Sequence, residues 1–105
     1  MATQAITSDN FETVLKNNHI VLIDFWATWC PPCRAFGPIF EKSSEQHTDM
    51  VFGKVDIDQS RDLAVSLQIQ AVPTLMIVKD GVVVYKQAGA LRPSDLEDLI
   101  SKVSA

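Results

Sequence analysis

An apolar run from Ile20 to Ile23, resumed at Phe25, ends shortly before two cysteines, Cys30 and Cys33, that enclose only Pro31 and Pro32. A segment with so little polarity has to be covered on both faces, as a central strand of a parallel sheet is. Pro32 suits the first turn of a helix, where its missing N–H would have had no intrahelical partner. From Pro32 to about His47 the sequence is helix-length, with Phe36, Ile39 and Phe40 at helical spacing and Pro38 expected to kink the element. A second apolar segment, DMVFGKVDID, follows, and strand, helix, strand in that order imply a right-handed parallel crossover.

The C-terminal half changes style. TLMIVKDGVVVYKQAG holds two β-branched runs joined at Asp80-Gly81, a pair that accepts positive φ and so signals a hairpin. SDLEDLISKV opens with Ser94 and Glu97 in capping-box spacing and sets Leu96, Leu99, Ile100 and Val103 on one helical face. Asp9 with Glu12 repeats that spacing ahead of Phe11, Val14 and Leu15, and SRDLAVSLQI has the length for a further helix. The order strand, helix, strand, helix, strand, helix, hairpin, helix predicts an α/β fold, a mixed sheet covered by helices on both sides. With 105 residues, 47% hydrophobic content, no repeat and no Gly/Ser-rich linker, residues 1–105 are expected to form one domain. Met50, Met76 and the phenylalanines are assigned to its core.

A formal net charge of -4 without any basic run argues against a nucleic-acid binder. MATQAITSDN has neither a positive leader nor an apolar signal core, and no stretch approaches the roughly 20 apolar residues of a membrane helix. A cytoplasmic protein without membrane association is therefore expected.

One C-x-x-C cannot form the disulfide scaffold of a secreted domain, which points to a chemical role for the pair. Cys30 falls where a strand ends and a helix begins, so unpaired N–H groups and the helix dipole favour its thiolate; it is expected to be exposed. Cys33, one turn later and shielded by that turn, can reach back to close a disulfide. The alternative is half of a zinc site, with His19 and His47 as the further soft ligands. Asp24 interrupts the apolar strand, where burial would raise its pKa and leave it a proton acceptor near neutrality. Lys54 in KVDID is a candidate charge partner for it, although by pattern alone it reads as a surface lysine.

DFWATWCPPC, KVDID, AVPT, the Asp80-Gly81 turn and AGAL stand in an order and spacing that resemble the thioredoxin family over nearly the whole chain. The resemblance implies a thioredoxin fold, a central mixed five-stranded sheet flanked by four helices. It implies a thiol-disulfide oxidoreductase, with Cys30 attacking a substrate disulfide, Cys33 resolving the mixed disulfide, and Asp24 taking the proton of Cys33. No bound cofactor is implied beyond the redox-active Cys30-Cys33 disulfide, and no metal. Pro73 is expected to be cis and to face the cysteines; Val72 would offer backbone groups to an extended substrate, with Trp29 and Gly89 completing that surface. The implied partners are a flavin-dependent, NADPH-drawing thioredoxin reductase and oxidised proteins such as peroxidases and reductases. Strong oxidase or isomerase activity is disfavoured, because such relatives usually carry histidine between the cysteines.

Pro31 departs from the Gly-Pro that most of the family carries between the cysteines. WCPPCR is similar to the motif of tryparedoxins, which deliver electrons to peroxidases, and dedicated peroxidase donation is one alternative. A non-catalytic binding subunit using the Trp29 and Pro73 surface is the other. Pro31 restricts Cys30 to extended geometry and is restricted in turn by Pro32. Pro31, Pro32 and Lys54 are accordingly the candidate redox-tuning residues.

Overall fold

In the computed structural model, which describes residues 2–105, nine elements follow one another. They are β1 (Thr3–Ala5), α1 (Phe11–Asn17), β2 (Ile20–Trp26), α2 (Pro31–Gln46), β3 (Val51–Asp56), α3 (Arg61–Ser66), β4 (Thr74–Lys79), β5 (Val82–Ala88) and α4 (Pro93–Ser104). The strands form one mixed sheet in the order β1-β3-β2-β4-β5. The expected five strands and four helices are all present, and the apolar run is the central strand β2. Its neighbours differ from a purely parallel arrangement: β2 is parallel to β3 but antiparallel to β4, because β4 belongs to the C-terminal hairpin.

Alternation along β2 feeds two separate cores, which explains why the run has no polar face. Ile20 and Leu22 pack with Phe36 and Phe40 of α2, Phe52 of β3, and Leu96 and Ile100 of α4. Val21, Ile23 and Phe25 point the other way, into a layer with Ile6, Val55, Leu63 and Met76 that α1 closes through Phe11, Val14 and Leu15. Full burial of each such side chain stabilises the fold by roughly 1.5–3 kcal/mol. Asp80 and Gly81 turn the hairpin with φ of 52° and 80°, the left-handed conformations that this dipeptide tolerates.

The capping boxes do not form. α1 begins at Phe11 with Asn10, not Asp9, before it, and the Asn10 side chain faces backwards, accepting the Thr7 N–H at 2.8 Å and donating to the Ala5 carbonyl at 3.1 Å. Pro93 starts α4, since its fixed φ suits the first helical position, and Ser94 falls inside the first turn. Glu97 is then free to accept the Ser43 hydroxyl at 2.8 Å and meet His47 Nε2 at 2.6 Å, joining α4 to the end of α2. α2 continues through Pro38, which leaves the Arg34 carbonyl without its helical donor. Among the described residues, no helix is long and apolar enough to cross a membrane.

Candidate active site

Cys30 is the N-cap of α2, and Pro31 and Pro32 are its first two residues. Cys30 is extended, with φ -103° and ψ 106°, the geometry that a following proline favours. Because neither proline has an N–H, the first backbone donor of the helix is Cys33, and it points at Cys30 Sγ at 3.2 Å. The two sulfurs are joined as a disulfide. The expected contrast in exposure is absent: Cys30 is 3% and Cys33 5% exposed. Ala27 packs against both, with Trp26, Ile57 and Val72 around them, and that apolar collar covers the N-terminal cysteine as fully as the helical one.

The predicted substrate-facing residues lie on three loops, between β2 and α2, between α3 and β4, and between β5 and α4. Trp29 is 61% exposed, and its Nε1 donates to Asp58 Oδ2 at 2.8 Å. The Val72-Pro73 bond is cis, and the Val72 carbonyl oxygen lies 3.6 Å from Cys30 Sγ. Gly89 donates its N–H to the Pro73 carbonyl at 2.8 Å with φ at 113°, a conformation that a side chain would strain, and the space beside it is open.

Asp24 lies mid-strand in β2 with 0% exposure, and among the described residues neither carboxylate oxygen has a hydrogen-bond partner. Burial pushes its pKa up to about 6, and the charge of Lys54 pulls against that rise. Asp24 and Lys54 are register partners across β2 and β3. Lys54 is not the surface lysine of the pattern-only reading. It is half-buried, with its ammonium 5.1 Å from the centroid of the Trp26 ring in a cation–π contact. Strand register, which no periodicity encodes, places it there.

Beside Cys33 opens a cleft of about 510 Å³ whose walls include Trp26, Thr28, Arg34, Glu41 and Lys54. Sequence reasoning assigned nothing to Arg34, Glu41 or Asp58. Arg34 adjoins the cysteine motif and was legible as a neighbour; the other two come from distant segments without a local signal. His19 and His47, the remaining soft ligands for a zinc site, are engaged with Asp80 and Glu97 and do not join the cysteines. Among the described residues, no group of three or more His, Cys, Asp or Glu gathers into a metal site.

A family model described as Thioredoxin matches residues 2–102. Thioredoxin of Coprinus comatus is 44% identical over 96 residues, 90% of this chain and 90% of its own. Thioredoxin-1 of Saccharomyces cerevisiae is 38% identical over 101 residues, covering 96% of this chain and 97% of its own. The solved structure of Malassezia sympodialis thioredoxin superposes with a TM-score of 0.88 at 40% identity, over 98% of this chain and 91% of that one. With its disulfide-linked cysteine pair at the start of α2 on a sheet of this topology, the chain belongs to the thioredoxin family and is a thiol-disulfide oxidoreductase that reduces protein disulfides.

Proposed function

We propose that residues 1–105 act as a single domain, a general reductant of protein disulfides in the cytoplasm, with Cys30 as nucleophile and Cys33 as resolving thiol. The Cys30 thiolate attacks one sulfur of a substrate disulfide, and the other sulfur leaves as a thiolate that takes up a proton. Cys33 then gives its proton to Asp24 and attacks Cys30 Sγ, expelling the second substrate sulfur. Two electrons have passed to the substrate, and the chain holds the Cys30-Cys33 disulfide. A flavin-dependent thioredoxin reductase drawing on NADPH would return the electrons. Trp29, the Val72 backbone, Pro73 and Gly89 form the surface on which an extended substrate lies.

The observation that carries this reading is the Cys33 N–H aimed at Cys30 Sγ, since a donor directed at sulfur favours the thiolate over the thiol. The test is reduction of a disulfide-bonded protein by dithiothreitol with the chain present in substoichiometric amount. Many turnovers per chain are expected. Reduction limited to one equivalent, or mere binding, would support a non-catalytic subunit instead.

Pro31 tunes the pair through the first helical turn, which it stiffens. Pro31→Gly restores an N–H near the Cys30 sulfur and loosens the segment that ring closure must order, and both effects favour the dithiol. Each contributes on the order of 0.5–1 kcal/mol, so together they are expected to raise the reduction potential by roughly 20–40 mV. Equilibration against glutathione buffers measures it; a fall would mean that Pro31 opposes ring closure.

A further inference from the structure

We propose that the cleft between Arg34 and Lys54 is a docking site for an acidic side chain of the protein whose disulfide is being reduced. This rests on the dithiol reading above and narrows its substrate class. The cleft is walled by Cys33 itself, so a group seated there adjoins the reacting sulfurs. Arg34 is exposed, and its Nη2 donates to the Thr28 carbonyl at 3.0 Å, a neutral acceptor that orients the guanidinium without cancelling its charge. The Lys54 ammonium is held against the Trp26 ring, also without an anionic hydrogen-bond partner. Among the described residues, neither cation belongs to an ion pair; those present are His19 with Asp80, His47 with Glu97 and Arg92 with Asp95.

Glu41, the acid on the cleft wall, has both oxygens turned to the start of the chain, one accepting the Ala2 N–H at 3.1 Å and the other the Thr3 hydroxyl at 2.6 Å. Two cations outside those ion pairs therefore share a cleft with Cys33; Lys54 is partly balanced by the buried Asp24 beside it and Glu41 keeps its charge on the wall, so the exposed Arg34 carries most of the attraction. On the Trp29 side of the pair the sign reverses, because Asp58 is fixed there by the indole N–H. A carboxylate entering the cleft can take the remaining guanidinium donors and approach the ammonium. Two cations in a short cleft match one such group, whereas a nucleic acid needs cations spaced along its backbone.

The experiment uses peptides dimerised through one disulfide, identical except for a single Glu, Gln or Lys walked along the positions on either side of the cysteine. The ratio of kcat/KM for the Glu peptide over the Lys peptide is the readout. Any influence of Arg34 on thiolate reactivity acts on both peptides and cancels in that ratio. At one or more positions the full-length wild type is expected to favour Glu by about three- to tenfold at low ionic strength. The preference should shrink as salt screens the charges. Arg34→Lys should retain it, Arg34→Gln should reduce it towards unity, and Arg34→Glu should reverse it. Equal rates for all three wild-type peptides at every position, or an undiminished preference in Arg34→Gln, would overturn the docking site and leave the dithiol mechanism standing. A wild type that reduces none of them would overturn both.

Discussion

Asp24→Asn is expected to stabilise the oxidised protein by about 3 kcal/mol more at pH 8 than below pH 4, and to slow turnover. The size follows from a carboxyl whose pKa is raised from 3.8 to about 6 by burial, with both oxygens unpartnered. Below 3.8 the group is neutral in both the folded and unfolded chain, so folding carries no ionisation penalty. Between 3.8 and about 6 the unfolded chain releases a proton that the folded chain retains, and stability falls as pH rises. Above about 6 the full penalty persists. Asparagine removes this dependence, while any cost of its own buried amide is independent of pH and cancels in the comparison. Denaturant melts of both proteins across this range measure the difference. A constant offset between them would show that the carboxylate is solvated or paired, and Asp24 would lose its standing as proton acceptor.

How far the sequence carried depends on whether a feature is local. β2 was legible because a strand covered on both faces has no polar alternation, and the Asp80-Gly81 turn because few dipeptides accept two left-handed residues. The site's centre was legible for the same reason: Cys30, Pro31, Pro32 and Cys33 are adjacent, and an aspartate inside an apolar run can hardly escape burial. Helix starts were less so. The serine or aspartate three residues before a glutamate was a weaker signal than Pro93, which fixes φ, or Asn10, whose amide ties down the preceding turn. Lys54 and the cleft were not legible at all. Their positions come from the pairing register of β2 with β3 and from how α2 lies over the sheet, and both are tertiary outcomes of the two cores. Burial of Cys30 belongs in the same group, because Ile57 and Val72 reach it from other parts of the chain.

Cys33→Ser is expected to turn the catalyst into a trap. With Cys30 intact, attack on an oxidised protein still forms the mixed disulfide, but no internal thiol is left to resolve it. Intramolecular resolution profits from effective concentrations on the order of 10⁵ M or more in well-oriented cases, so turnover should fall by at least about a hundredfold with millimolar external thiol. A covalent complex should appear on a non-reducing gel and dissolve on adding excess dithiothreitol. Cys30→Ser should form no such complex and show no turnover. The asymmetry follows from position. Cys30 is the N-cap, with the first N–H of α2 on its sulfur, whereas Cys33 lies within the helix's first turn, where among the described residues no donor is directed at its own sulfur. A complex formed by Cys30→Ser and absent from Cys33→Ser would exchange the two roles. It would also mean that the thiolate is selected by something other than the capping N–H, since that donor serves only Cys30.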